Sequence, residues 1–245
     1  MKNLLIIPAA GDGKRLKSKM PKILNTIAKK KKIVDILLKK IGYIDKIIFV
    51  VKKKNEFIIK KYLSKNYPKL NFELVFQNKA TGMADAVHTS SRYWNNFDKI
   101  IVLWGDQVGI SSKTINIIKK FKINTKTVLL PLVFKNNLYT QYIFKNKKLF
   151  MVKESRETSI SDKFGYSDVG LFAFHQKFLK NCLNKYLTIA DKGLITKETS
   201  FLQFIIFLKN RHWKIKIFKI KNKNETFGVN NKKELIFFRN KYEKI

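Results

Sequence analysis

The sequence predicts an α/β fold in which a doubly wound, mostly parallel sheet is followed by a mixed or antiparallel extension. Three observations carry that prediction. Short apolar runs bounded by turn signals alternate with helix-period segments over the first half of the chain, as parallel strands joined by crossover helices require. After about residue 125 the strand-like runs follow one another with little helix between them, as in an antiparallel sheet. The 245 residues, 45% hydrophobic and 13% aromatic, supply enough apolar surface for a core and exclude intrinsic disorder.

Taken in order, residues 4–8 read as a short buried strand that runs straight into a glycine-containing loop. A helix over 33–41, a strand over 46–51, a helix over 56–64 and a strand over 72–76 follow. The alternation continues with a helix over 83–94 and a strand over 99–103. The second half reads as strands over 127–134, 139–144, 149–153 and 168–174, helices over 176–187 and 200–209, a strand over 214–220 and a last helix over 232–242. The first half has the order of a Rossmann-like sheet, in which ligands bind beyond the carboxyl ends of the strands. No internal repeat or linker interrupts the chain, so one domain over 1–245 is expected.

Composition narrows the function. The longest apolar stretches, 99–104 and 201–208, fall short of the roughly 20 residues of a membrane span, and no signal-peptide pattern opens the chain; a soluble, cytoplasmic protein is expected. Cys182 has no second cysteine to pair with, and with His88, His175 and His212 it gives no zinc-ligand spacing. The 52 Lys and Arg against 17 Asp and Glu give a net charge of +35, which admits a nucleic-acid-binding protein. The basic residues, however, are mostly lysines spread along the chain among many Asn, Ile, Phe and Tyr, the pattern an A/T-rich coding bias produces. Nucleic acid is therefore not the expected partner, and the charge favours anionic ligands in general.

The segment LLIIPAAGDGKRLKSKMPKIL, residues 4–24, is the most informative. Ala9, Ala10, Gly11 and Gly13 let backbone amides approach a phosphate, and Lys14 and Arg15 follow them. Leu16 stands where a dinucleotide fingerprint and a Walker A loop both need glycine. What remains is a short phosphate-cradling turn with Arg15 and Lys22 beyond it, a guanidinium that can grip phosphate oxygens in pairs and an ammonium that acts as a point charge. The same residues also suit an ordinary turn between strand and helix followed by solvated lysines. Val102 to Gln107, VLWGDQ, ends a strand in Gly105 and Asp106, so a carboxylate sits at the carboxyl edge of a central strand, either as a Mg²⁺ ligand or as a turn residue.

These segments resemble the sugar-phosphate nucleotidyltransferase superfamily, whose opening signature A-A-G-x-G-[TS]-R-[ML] and following P-K-x-L stand here as Ala9 to Leu16 and Pro21 to Leu24. Lys14 departs from the small hydroxyl residue usual at its position. QNKATGMADAV, residues 77–87, is similar to the family's base-recognition stretch, with Met83 in place of Thr, and alone it would read as a capped helix start. The resemblance implies that Gln77, Gly82 and Met83 meet the base, and that Asp106 shares Mg²⁺ with Asn230 of TFGVNNKKEL, where Asn230 alone would read as a helix cap. YTQYIFKNKKLFMVKE, residues 139–154, and SDVG, residues 167–170, resemble the sugar-binding strands, which implies that Glu154, Asp168 and Gly170 contact the sugar, with Asp168 standing where the family has Asn.

The family's fold then divides the chain into a nucleotide half at about 1–125 and a sugar half at about 126–245, the mixed extension serving the sugar. The implied function is Mg²⁺-dependent transfer of a nucleotidyl group from a nucleoside triphosphate, UTP above CTP or dTTP, to a sugar 1-phosphate. Arg15, Lys22 and Asp106 are the implied catalytic groups. Departures at Lys14, Met83 and Asp168 keep open a cytidylyltransferase for an alcohol phosphate such as phosphocholine and a nucleotide-binding protein without turnover. The chain is expected to stop near the end of the transferase domain, without the β-helical acetyltransferase of bifunctional members, and the residues do not specify an oligomeric state.

Overall fold

Strands covered by helices on both faces bury every side chain, so the uninterrupted apolar runs that open the chain form the inner strands of its sheet. The computed structural model describes every residue except Asp12, Lys17, Lys19, Asn78, Ala80, Lys244 and Ile245, and every described residue's side chain except those of Lys14 and Glu243. Its elements begin with β1 (Asn3–Pro8), β2 (Thr26–Ala28), β3 (Lys31–Lys32), α1 (Ile33–Ile41), β4 (Lys46–Val51), α2 (Glu56–Asn66) and β5 (Phe72–Phe76). α3 (Met83–Thr89), β6 (Lys99–Leu103), α4 (Ser112–Lys120), β7 (Thr127–Asn136), β8 (Thr140–Lys145), β9 (Lys148–Glu154) and β10 (Phe164–Asp168) follow. The chain ends with β11 (Leu171–His175), α5 (Leu179–Ile189), α6 (Phe201–Asn210), β12 (Lys214–Ile220) and α7 (Lys232–Glu243).

One sheet carries ten of these strands in the order β5-β4-β1-β6-β11-β7-β10-β8-β9, with β12 beside β7. β5, β4, β1 and β6 are parallel. β11 joins β6 antiparallel, and β7, β10, β8 and β9 continue in antiparallel pairs, so the extension read from the sequence is a continuation of the same sheet. Alternate residues of β1 enter different cores: Leu5 and Ile7 pack with α1, α2, α4 and α7, and Leu4 and Ile6 pack with α3, α5 and α6. Helices therefore cover both faces. Among the described residues no helix is long and apolar enough to cross a membrane.

Four features depart from the sequence reading. The run read as one strand over 168–174 is two, β10 and β11, broken at Gly170, whose φ of 67° belongs to the left-handed region. The helix read over 83–94 ends as α3 at Thr89 and continues as a 3₁₀ segment, Ser91–Asn96. There the Thr89 and Ser90 hydroxyls donate to the carbonyls of Asp85 and Val87, competing with the helical ladder. The hairpin of β2 and β3 and the helix α4 were not read; α4 is capped by Ser111, whose Oγ accepts from Thr114 N at 3.1 Å.

β6 is anchored at its start by Lys99, a fully buried lysine whose ammonium donates to the carbonyls of Ile118, Lys119 and Phe121 at 3.0, 2.8 and 2.6 Å. It closes the carboxyl end of α4, where carbonyls lack helical partners. Burial lowers its pKa from 10.5 to about 8. The unfolded chain then binds more protons than the folded one between those values, so this residue adds stability as pH rises from 8 towards 10.5. Lys99→Met is expected to cost about 1–3 kcal/mol, and denaturant melts should show the deficit growing between pH 8 and pH 10. A deficit independent of pH would mean that burial does not lower the Lys99 pKa and that its ammonium stays charged throughout this range.

Candidate active site

The loop after β1 is held against the end of β6. Ala9 N donates to Val50 O at 2.7 Å, keeping the chain in sheet register past the strand, and Ala9 and Ala10 are buried. A Cβ on Gly105 would stand 2.8 Å from Pro8 O and 3.4 Å from Ala9 Cβ, so the Gly-Asp turn lies against the loop only as glycine. Gly11 is exposed, and Gly13 takes a φ of 60° before a 3₁₀ turn over Lys14–Leu16. Leu16, the residue that spoils both glycine motifs, is buried in the core and pins this turn while Arg15 points to its exposed side. Asp12 and the Lys14 side chain lie outside the described atoms.

The next turn presents Lys22. Ile23 and Leu24 are buried, and Asn25 Nδ2 donates to Pro21 O and Lys22 O at 3.1 Å each, fixing a 3₁₀ turn with the Lys22 side chain outward. Its ammonium forms an ion pair with Asp106 Oδ2 and donates to Asn230 Oδ1 at 3.3 Å. Asn230 arrives because the segment before α7 docks on the β6 exit: Val229 N donates to Asp106 O and Gly109 N to Phe227 O, both at 2.9 Å. Gln107 Nε2 holds Glu225 O at 2.7 Å, and the Glu225 carboxylate accepts from Ser111 N at 3.1 Å. Asn231, not Asn230, caps α7 through Glu234 N at 2.9 Å, and Glu234 returns its carboxylate to both asparagine amides. The Asn230 side chain is thereby left to the site.

These three residues also test the fit of Mg²⁺. An ammonium between Asp106 Oδ2 and Asn230 Oδ1 shows that two hard oxygens from distant segments converge on one cation, the donor type Mg²⁺ takes. Among the described residues no group of three or more His, Cys, Asp and Glu could hold a metal, so the protein would supply two ligands and phosphate and water the remainder.

The Gln77 stretch closes on itself. Gln77 Nε2 donates to Gly82 O and Asp85 Oδ2 at 2.9 Å each and to Thr81 Oγ1 at 3.3 Å, so the amide nitrogen is engaged by its own loop. Gly82 has a φ of 116°, and a Cβ there would stand 2.5 Å from Thr199 O. Thr199 N donates to Thr81 O at 3.0 Å, stitching this loop to the start of α6. Met83 packs against the core of α3, α5 and α6. Gly82→Ala is expected to destabilise by about 2 kcal/mol or more through strain and overpacking; an unchanged melting temperature would show that the two segments separate at no cost.

In the other half, Glu154 ends β9 and Asp168 ends β10. Thr140 pairs with Glu154 across the ladder and donates to Asp168 Oδ2 at 2.8 Å, while Gly170 N donates to Asp168 Oδ1 at 2.8 Å. Ser200 Oγ donates to Glu154 Oε1. Burial pushes the Asp168 carboxyl up, against the hydrogen bonds of Thr140 and Gly170. Burial also raises Glu154, with the Ser200 hydroxyl and Arg156 opposing. Gly170 is tight: a Cβ would lie 2.7 Å from Trp104 Cδ1.

The fold thus brings Lys22, Asp106 and Asn230 together, sets Ala9 beside Gly105, and gathers Glu154 and Asp168 around Thr140. Through Thr199 and Ser200 the Gln77 loop adjoins the Glu154 end. Sequence reading missed Ser200, Tyr142, Trp104 and Thr199. Only Thr140 and Tyr142, two apart and so on one face of β8, carried a signal that could have placed them together.

The sequence model of the Nucleotidyl transferase family matches residues 4–193. Similar proteins include "Bifunctional protein GlmU" of Buchnera aphidicola subsp. Schizaphis graminum, 29% identical over 94% of this chain and 49% of that protein. "Bifunctional protein GlmU" of Nitratiruptor sp. is 29% identical over 94% of this chain and 52% of its own length. The chain spans about half the length of the curated relatives it matches. A Bacillus anthracis crystal structure described as a glucose-1-phosphate thymidylyltransferase shares the fold, with a TM-score of 0.77 over 99% of this chain and 96% of that one at 17% identity.

Proposed function

The chain belongs to the nucleotidyl transferase family, and from that premise we propose that it joins a nucleoside triphosphate to an acceptor phosphate of the sugar 1-phosphate type and releases pyrophosphate. The observation that carries the reading is the meeting of Lys22, Asp106 and Asn230, from three separate segments, at the carboxyl end of β6, where an open α/β sheet binds its ligand. An acceptor oxygen attacks the α-phosphorus in line, and the bond to the bridging oxygen of the β-phosphate breaks. Positioning and charge neutralisation supply most of the acceleration for such a step.

The amides of Ala10, Gly11 and Gly13 with Lys14 and Arg15 hold the β- and γ-phosphates, Ala9 lines the loop with its own amide kept by Val50 O, and Lys22 neutralises the α-phosphate. Asp106 and Asn230 would hold Mg²⁺, whose chemistry there is to offset phosphate charge. Gln77, Gly82 and Met83 form the wall against the base, and Glu154, Asp168 and Gly170 hold the acceptor. UTP is the proposed donor, because the Gln77 stretch and the Asn230 motif resemble the uridylyl branch most.

The test is pyrophosphate release with Mg²⁺ from each of UTP, CTP, dTTP, GTP and ATP against pooled sugar 1-phosphates and, separately, alcohol phosphates. Release with one nucleotide and one pool is the expected result. Folded protein that binds nucleotide yet releases nothing with any pair would overturn turnover.

A further inference from the structure

Two buried carboxylates lie side by side in the proposed acceptor site of a chain of net charge +35. Glu154 and Asp168 are each 8% exposed and flank the single residue Thr140. The nearest cation is weak and divided: Arg156 Nη2 lies 3.8 Å from Glu154 Oε2 while its Nη1 lies 3.6 Å from Glu198. No lysine forms an ion pair with either buried acid among the described residues.

Two carboxylates in a dry site repel each other and lose hydration, a cost that a bound cation offsets and a neutral hydroxyl does not. The Asn usual at the position of Asp168 would accept a hydroxyl proton without that cost. Tyr142 adds a second observation beside the two carboxylates. It lies on the same face of β8 as Thr140, it is fully buried, and its hydroxyl has no hydrogen-bond partner of good geometry. Burial and the two nearby carboxylates keep that hydroxyl protonated with its proton turned towards Asp168, so its oxygen stands as an acceptor without a donor.

Trp104 completes the environment. It joins β6 to Gly105 and Asp106, its N donates to Gly170 O at 2.9 Å, and its ring lies 5.0 Å from Phe172 and 5.5 Å from Phe201. The indole is only partly buried, between the Asp106 turn and the turn that holds Asp168. A cavity of about 240 Å³ opens on Glu154 and is lined by two further carboxylates, Glu157 and Asp191, together with Lys153 and Lys192. Carboxylates beside a partly exposed indole are the chemistry that recognises ammonium and quaternary ammonium groups.

We propose that the acceptor phosphate taken by this site carries a positively charged nitrogen, held by Glu154 and Asp168 with the Trp104 ring against it. The inference rests on the transferase reading and names the charge of its acceptor. An amino sugar 1-phosphate and an amino-alcohol phosphate share this chemistry, and the test separates them.

Matched pairs differing in that charge are compared with the donor nucleotide of the panel: glucosamine 1-phosphate against glucose 1-phosphate and N-acetylglucosamine 1-phosphate, and phosphocholine against 3,3-dimethylbutyl phosphate. Pyrophosphate release gives kcat/KM, and calorimetry with a non-hydrolysable nucleotide analogue gives binding without turnover. The cationic member of one pair should lead by about tenfold or more, and Asp168→Asn or Glu154→Gln, checked for folding by circular dichroism, should shrink that lead about tenfold. The pair that shows the lead identifies the source. Turnover that favours the neutral members overturns the cationic acceptor and leaves the transferase standing. Absence of turnover overturns the transferase, and calorimetry still decides: cationic preference supports the binding assignment, and equal or absent binding overturns it.

Discussion

Asp106→Ala is expected to lower kcat by about a thousandfold or more while leaving the fold intact. Removing one group that offsets charge in a transition state costs rate on that scale. Asp106 is also the only carboxylate in the trio it forms with Lys22 and Asn230. Its role in stability is small for a geometric reason. The side chains of Asp106 and Lys22 keep 20% and 16% of their exposure, so their ion pair is reached by water. Such a pair contributes about 0–1 kcal/mol, which in a chain of this size corresponds to a melting shift of roughly 2–4 °C at most. Pyrophosphate release and a thermal melt on the same preparation separate the two effects. A variant that turns over normally would remove Asp106 from the reaction, and one that fails to fold would make it a structural residue. Asp106→Asn keeps the oxygen and shape, and is expected to retain the fold and lose most of the rate.

Much of this geometry was legible because it depends on local patterns. The strands at 46–51, 72–76 and 99–103, read from apolar runs, and the one at 214–220, where apolar residues alternate with lysines, match β4, β5, β6 and β12 end to end. Gly105 and Asp106 could be placed at a strand end because a strand shows in the sequence and its carboxyl edge is where such sheets bind. What stayed hidden depends on contacts distant in sequence. Nothing in residues 77–87 states that Gly82 must lie against the backbone of Thr199, which is what makes glycine obligatory there. Nothing in VLWGDQ states that Trp104 will rest on Gly170. α4 escaped reading because SKTINIIKK offers only three buried residues, Thr114, Ile115 and Ile118, and its carboxyl end is closed by Lys99 from the start of β6. The break at Gly170 was lost because the polar end of β10 and the apolar β11 look continuous when the left-handed turn between them is not seen. Charge patterning was the least readable feature: a chain of +35 hides a buried acidic pair in its sheet extension.

Lys22→Met is expected to separate two properties that usually fall together. In the free protein the ammonium lies between Asp106 Oδ2 and Asn230 Oδ1, the two oxygens proposed for the metal. Like charges exclude each other at such separations. Mg²⁺ can reach those oxygens only as Lys22 moves towards the phosphates that arrive with the nucleotide. Removing the ammonium should therefore tighten metal binding in the absence of nucleotide, by about tenfold for a change of roughly 1.4 kcal/mol. It should also lower kcat by about a hundredfold to a thousandfold, because the α-phosphate loses its neutralising charge. Mn²⁺ titration followed by electron paramagnetic resonance reads the first effect and pyrophosphate release the second. Lys22→Arg is not expected to restore the rate, since a planar guanidinium cannot stand as a compact point charge between two oxygens. Unchanged Mn²⁺ affinity in Lys22→Met would mean that ammonium and metal occupy different places, and unchanged turnover would mean that Lys22 does not face the reacting phosphate. Both expected results together would mean that the same lysine keeps the carboxylate occupied before nucleotide binds and leaves it to neutralise the phosphate afterwards.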